Sequence, residues 1–449
     1  MPTSTPVPAL SPASSAPSAL TRFRWLIVGL LFLGTTINYI DRQILALIKT
    51  FLDAELGWTN EQYGRVNSAF QAFYAASYVG FGWFIDRVGI RFGYSLSMVA
   101  WSIATIAHGF VASISGFYVA RAALGVGEGG NFPACIKSVA HWFPRRERAF
   151  AASLFNAGTN VGAIIAPALV PLIAYRYGWQ TVFFGAGAIG FLWLVPWLIF
   201  FRNEPGQSAR VSPAERAMIE GDTDAQTAAS GRIGWLQLFT HRETWAIVLA
   251  KFLTDPVWWF FLIWLPDFFK KTRGLDIKNS WVHLVTIYSI ATVLSILGGW
   301  FSGFLINRGW SVTRARKTGM FIFALCVVPV VFAPQSSDWI AVVLIGLAGA
   351  AHQAWSATIY ASTSDMFPKP TIAAISGIAG MAGSVGGILF PIFTGKLLDY
   401  YKTTAGGEPA GYKILFLICG SAYVIAFAVN HLFARRFEQI QLPAKPSAA

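Results

Sequence analysis

The sequence predicts an all-α integral membrane protein: twelve transmembrane helices in two six-helix, pseudo-symmetric halves. Three observations predict it. The 449 residues are 55% hydrophobic and only 12% charged, with a mean hydropathy of +0.53, whereas a soluble chain carries about 25% charged residues. Apolar stretches of the roughly 20 residues needed to cross a bilayer recur along the whole chain. Two distant segments also repeat one another at a fixed offset.

Taken in order, residues 1–21 are rich in Pro, Ser and Ala and carry no charged side chain. They read as a disordered cytoplasmic tail. They do not read as a signal peptide, because Arg22 and Arg24 follow and the next apolar stretch is long. The first half, 22–202, holds spans expected at 23–48, 61–85, 92–112, 115–140, 147–172 and 178–201. A polar linker, 203–240, is the longest interruption and reads as a cytoplasmic loop. The second half, 241–435, holds spans expected at 241–269, 280–306, 317–333, 338–362, 371–398 and 411–434. A short cytoplasmic tail, 436–449, closes the chain. Basic residues gather in alternate loops, as with Arg87, Arg91, Arg145, Arg146, Arg148, Arg308, Arg314, Arg316 and Lys317. Such a bias puts those loops and both termini inside.

The repeat relates "FPRRERAFAASLFNAGTNVGAIIAP" to "FPKPTIAAISGIAGMAGSVGGILFP". One gapless offset of 224 residues pairs Phe143 with Phe367, Pro144 with Pro368, Val161 with Val385, Gly162 with Gly386 and Pro167 with Pro391. A second echo joins "GWFIDR" (82–87) to "GFLINR" (303–308). Two related six-helix bundles suit a carrier that rocks about a site near mid-membrane.

Charges inside the spans carry the chemistry. Each costs about 2.5–3.5 kcal/mol at a helix centre, so each needs a reason. Arg121 and Glu128 are seven residues apart, nearly two turns, and face one way about 10 Å apart. That is far for direct contact and reads as two stations on one cavity-facing stripe. Asp41 and Arg42 are neighbours about 100° apart, so one can reach a cavity and the other a partner helix. Arg42 can grip a carboxylate with a bidentate fork that lysine lacks, and Asp41 can partner Arg121. A carboxyl in a low-dielectric cavity holds its proton, and a nearby guanidinium releases it. Asp41, Arg121 and Glu128 are therefore the proton-coupling candidates. The competing reading is buried pairs that only fix helix packing.

Neutral and aromatic groups complete the candidate substrate set. The 224-residue offset sets His352 opposite Glu128, beside Gln353, Trp355, Ser356 and Thr358. Hydrogen-bonding groups with a flat indole face suit a polyhydroxylated ligand. Asp255, Trp258 and Trp259 form a similar cluster, which a lipid-facing aromatic belt would also explain. Tyr39, Gln71, Tyr74, Asn156 and Asn160 are further polar positions in spans. Lys137 near a helix end reads as snorkelling to the interface. It is set aside with Lys251.

The loop "GWFIDRVGIRFG" (82–93) reads as a conformational latch. Gly82 would permit close helix approach, and Asp86 would meet a helix N-terminus or an arginine across the halves. Arg87 and Arg91 anchor topology, and Gly89 belongs to the same spacing. Cys135, Cys326 and Cys419 all lie in apolar segments. They form neither a disulfide framework nor a metal site, and no cofactor is expected. The net charge of +13 belongs to loop clusters and does not imply nucleic acid.

The spacing Gly82-x-x-x-Asp86-Arg87-x-Gly89-x-Arg91 after the second span, with twelve spans in two halves, resembles the major facilitator superfamily. The second copy departs from it by carrying Asn307 for the acid. "NYIDR" (38–42), "RAALGVGEGGNFPA" (121–134) and "WFPRRERA" (142–149) are similar to the anion:cation symporters. "KFLTDPVWWFFLIWLPDF" (251–268) and "AHQAWSATIYASTSDMFP" (351–368) resemble bacterial hexuronate transporters more narrowly. The resemblance covers about 22–435. It implies that Tyr39, Arg42 and Tyr74 contact substrate and that Asp41, Arg121 and Glu128 form the coupling network.

The expected function is proton-coupled uptake of a sugar acid, such as a hexuronate, across a bacterial inner membrane by a monomer. The partners are the organic anion, the proton and the bilayer. Within transport, the alternatives are an aldonate, a phthalate-like aromatic acid or phosphate. The alternative of another class is a membrane enzyme or receptor. No HExxH motif, nucleophile elbow or Cys/His cluster is present in the sequence, and the longest loop has no room for an output domain.

Overall fold

The computed structural model describes residues 22–221, 235–368 and 371–440. The expected N-terminal tail, the middle of the linker and the last nine residues lie outside them. The first half contains α1 (Phe23–Leu47), α2 (Lys49–Leu56), α3 (Asn60–Val88), α4 (Ile90–His108), α5 (Ile114–Glu128), α6 (Asn131–Trp142), α7 (Arg145–Tyr177) and α8 (Trp179–Phe200). The linker carries α9 (Pro213–Glu220) and α10 (Trp235–Leu238). The second half contains α11 (Arg242–Arg273), α12 (Ile277–Asn307), α13 (Val312–Val327), α14 (Asp338–Met366), α15 (Ile372–Lys402) and α16 (Gly407–Phe433). Among the described residues, nine helices are long and apolar enough to cross a membrane. Helices α3 and α4 and the α5–α6 pair complete the twelve spans.

Local chemistry sets the ends. Gly57, with φ of 57°, closes α2. Thr59 and Gln62 then form a reciprocal cap that starts α3, satisfying two otherwise orphaned N–H groups. The span expected at 115–140 is broken between α5 and α6. Gly129 and Gly130 weaken helix propagation there, and each backbone presses on a neighbour. A Cβ would fall 2.6 Å from the Ser77 and Ser97 hydroxyls respectively. The ninth span tightens into a 3-10 turn at Val328–Gln335, where Pro329 and Pro334 remove helical donors.

The halves repeat one packing scheme. In the first, α1 packs on α7, α3 on α5, and α4 on α5 and α8. In the second, α11 packs on α15, α12 on α14, and α13 on α14 and α16. Repeat-related glycines play matching roles. Gly162 of α7 abuts the Thr36 carbonyl of α1, and Gly386 of α15 abuts the Phe252 carbonyl of α11. Between halves, α3 meets α15 and α7 meets α12, two contacts related by the same exchange.

These halves seal at one end and part at the other. At the sealed end Lys49 bridges to Asp267 of α11 at 2.9 Å, and Tyr412 donates to the same carboxylate at 2.6 Å. The Asp399 carboxylate of α15 accepts from the Asn60 and Glu61 amides at 3.0 and 2.8 Å, an anion at a helix N-terminus. Burial would lower the Lys49 pKa, but the Asp267 and Asp53 carboxylates offset this and hold it above the ordinary lysine value. With its carboxylate partners ionised, the Lys49 contribution is thus fully present below about pH 10.4 and is lost as pH rises through the raised pKa. At the other end α3 is exposed at Tyr78, Val79 and Gly80, and a Cβ at Gly80, Gly82, Gly377 or Gly380 would meet open space.

Closure at the sealed end depends on backbone contact. Gly64 touches the Pro391 carbonyl, and Gly395 touches the Asn60 carbonyl, so closely that neither has room for a Cβ. Gly395→Val is therefore expected to prop this end open. A cysteine at Ser68, buried there, should become at least tenfold more reactive to a membrane-impermeant thiol reagent in that background. Unchanged labelling would show that the contact does not govern closure.

Candidate functional site

A tight cleft lies between the halves, with an accessible volume of about 20 Å3. Its walls come from helical faces at i, i+3, i+4 spacing: Tyr39, Arg42 and Gln43 of α1; Asn67, Phe70 and Gln71 of α3; and Trp259, Leu262 and Ile263 of α11. Arg121 of α5 completes the lining. Charge is lopsided here, because the first half supplies two guanidinium groups and α11 supplies apolar and indole surface.

Arg42 is the centre. Its Nε donates to Glu128 Oε2 at 2.7 Å, with both side chains nearly inaccessible, at 5% and 0% exposure. The guanidinium also lies 4.4, 5.0 and 5.3 Å from the ring centres of Tyr74, Tyr39 and Phe70, an aromatic cradle that favours a cation. One Arg42 amine and Glu128 Oε1 keep no hydrogen-bond partner among the described residues. The arrangement holds one carboxylate and leaves capacity for another.

Arg121 and Asp41 do not pair with each other. Arg121 is 1% exposed, lies 5.7 Å from the Phe70 ring centre, and leaves Nε and one amine without partners. Asp41 accepts from the Trp101 indole at 2.7 Å through one oxygen and leaves the other bare. Buried ionic groups left without partners are costly. The glycines before Glu128 let α5 come close. Gly125 meets the Phe70 carbonyl, and a Cβ at Gly127 would fall 2.5 Å from the Trp101 amide nitrogen.

The second half contributes differently from the sequence expectation. Trp259 reaches the cleft, whereas His352 hydrogen-bonds Tyr423 at 2.5 Å and stacks on Trp258 at 5.4 Å. Trp355 is fully buried against Tyr423 and offers no open face in this conformation. His352, Trp258, Trp355 and Tyr423 form a polar-aromatic core inside the second half. Apolar helices hide such internal pairing from sequence, because the partner Tyr423 lies 71 residues on. Gln353, Ser356 and Asn160 are half-buried outside the cleft, and Asn156 is exposed. Asp255 pairs with Lys251 at 2.8 Å. Sequence reasoning missed Gln43, Asn67, Phe70, Leu262 and Ile263. The signal was the helical spacing from Tyr39, Gln71 and Trp259.

The latch also differs. Asp86 pairs with Lys137 of its own half, and Lys137 further donates to the Gly82 carbonyl at 2.7 Å. Lys137 therefore has a specific partner where snorkelling was expected, and Gly82 adjoins open space instead of a helix. Arg87 stacks on Trp83 at 4.0 Å. Gly89, at φ of 85°, turns the chain where a Cβ would meet the Asn203 side chain. Arg91 is held by its backbone N–H to Asn203 at 2.9 Å. This end of the halves is open, and among the described residues Asp86 has no partner across it.

Two matched bundles, parted at one end and sealed at the other around a charged central cleft, are the architecture of a membrane transporter. The chain belongs to the Major Facilitator Superfamily, whose model matches residues 31–391. It is 31% identical over 387 residues to the hexuronate transporter of Escherichia coli (strain K12), covering 84% of this chain and 88% of that one. It is 28% identical over 390 residues to the D-galactonate transporter of Escherichia coli O6:H1, covering 85% and 90%. Among solved structures, it matches a bacterial homolog of the human lysosomal transporter Spinster in an inward-facing, unoccupied conformation. That match has a TM-score of 0.74 at 19% identity and covers 93% of this chain and 98% of the other, a likeness of fold.

Proposed function

We propose that this protein is a proton-coupled importer of a hexuronate, working by alternating access in a bacterial inner membrane. Both termini are then cytoplasmic, and the Lys49–Asp267 end faces outward, so the conformation described is open inward. The observation that carries the reading is the single buried contact between Arg42 and Glu128. A cargo carboxylate shares this guanidinium with Glu128, and an ionised Glu128 keeps most of its charge engaged. Protonating Glu128 weakens its hold, so Arg42 is released to the anion, and proton and cargo enter together. Asp41 is the second carboxyl able to take and return the proton, and Arg121, which stays cationic, pairs with whichever carboxylate is ionised as the halves rock. Tyr39, Tyr74 and Gln71 meet the bound sugar, and Trp259 gives its C–H groups a flat surface. The sugar-acid transporters among the relatives support the cargo class.

A second reading within transport is another organic anion, since a guanidinium binds any carboxylate. Purified protein in liposomes, given labelled glucuronate, galacturonate, galactonate and phthalate with an internal pH dye, separates them. Saturable hexuronate entry with inward acidification is expected. Saturable entry of phthalate alone would refute the hexuronate reading.

A further inference from the structure

We propose that the Lys251–Asp255 pair of α11 is a specificity filter at the far end of the cargo, accepting a hydroxyl and excluding a second carboxylate. This rests on the sugar-acid reading above. Lys251, Asp255 and Trp259 are spaced by four residues, so they share one face of α11 at steps of about 6 Å. Trp259 lines the cleft with Arg42, and Asp255 is the next station towards the open end. Lys251 Nζ contacts Asp255 Oδ2 at 2.8 Å and Ser356 at 3.3 Å, and lies 4.9 Å from the Tyr360 ring centre.

The pair is electrically neutral as a unit but not satisfied. Asp255 Oδ1 has no hydrogen-bond partner among the described residues, although the side chain keeps 16% exposure. A buried carboxylate oxygen needs a donor, and a sugar hydroxyl is one. Helix α15 makes room for this station. Gly383 stands directly against the Asp255 carboxylate and Gly387 against the Trp259 indole, so a side chain at 383 would collide with Asp255.

The two ends of the cargo thus meet opposite demands. Near α5, Arg42 and Arg121 welcome one carboxylate. Near α14, Asp255 already occupies Lys251, the cation of its station among the described residues. A hexuronate offers a carboxylate at one end and hydroxyls at the other, which fits. A six-carbon diacid would carry its second carboxylate towards Asp255, where Lys251 is already spent on Asp255 and, among the described residues, no free cation there offsets the loss of hydration. Discrimination by leaving a charge unpaired is a general route to specificity.

Competition against labelled glucuronate in proteoliposomes tests the filter, with galactarate as the diacid. Wild type should be inhibited at least tenfold more weakly by galactarate than by unlabelled glucuronate. Asp255→Asn frees the Lys251 amine, and galactarate should then compete at least tenfold better while glucuronate weakens. In the Lys251→Met/Asp255→Asn double variant that gain should vanish. Equal competition in wild type overturns the proposal even if the variants fail to fold. So does an Asp255→Asn protein that binds glucuronate but gains nothing for galactarate. A wild type inert to both acids yet moving another anion refutes the sugar-acid reading, and the filter with it.

Discussion

Glu128→Gln is expected to abolish accumulation against a gradient while leaving counterflow exchange of cargo intact. Glutamine is a neutral isostere of the protonated acid, so the variant is held in its proton-loaded form. Arg42 is then permanently released to the anion, and cargo still binds and crosses. No proton is gained or lost per cycle, so a pH gradient has nothing to act on. One pH unit is worth 1.36 kcal/mol, or tenfold. With one proton coupled per anion, wild type under that gradient should concentrate cargo up to about tenfold, and the variant should settle near equality. Paired measurements of net uptake and exchange on the same vesicles check this. Accumulation as steep as in wild type would remove Glu128 from the coupling step.

Arg42→Lys is expected to raise the half-saturation concentration by at least tenfold with the protein still folded. Lysine keeps the charge, so the buried Glu128 is not left uncompensated, a state that costs about 3–5 kcal/mol and makes Arg42→Ala a poorer test. What lysine lacks is the planar fork. Arg42 spends Nε on Glu128 and has an amine to spare, whereas an ammonium is a point charge that cannot face two carboxylates in one plane. Losing one hydrogen bond to a charged group costs about 1.5–3 kcal/mol, or roughly 10- to 150-fold. Weaker contact with the Tyr74, Tyr39 and Phe70 rings adds to it. Initial-rate uptake, with thermal unfolding as a control, decides. Unaltered half-saturation would place the cargo carboxylate elsewhere.

The membrane class, the two halves and the burial of charge were legible from residues alone, for a physical reason. A bilayer forces apolar runs of set length on the sequence, and a charge in such a run is conspicuous. The duplicated Phe-Pro, Val-Gly and Pro positions betray the second half, because the same helix contacts demand them. Partner choice was not legible. Arg121 and Glu128 lie on one helix with Asp41 and Arg42 on another, and nothing in their spacing says that Glu128 takes Arg42 while Asp41 turns to Trp101. Nor did the sequence distinguish His352 and Trp355, folded inward on Tyr423, from Trp259, turned to the cleft.

Hydropathy, repetition and intramembrane ions thus determined what kind of molecule this is, since the bilayer acts on each helix separately and marks its sequence. The tertiary structure alone decided which ions meet, which end is shut and which rings face the cleft. Those outcomes depend on how helices far apart in the chain rotate against one another, and a rotation of tens of degrees changes every partner without changing a residue.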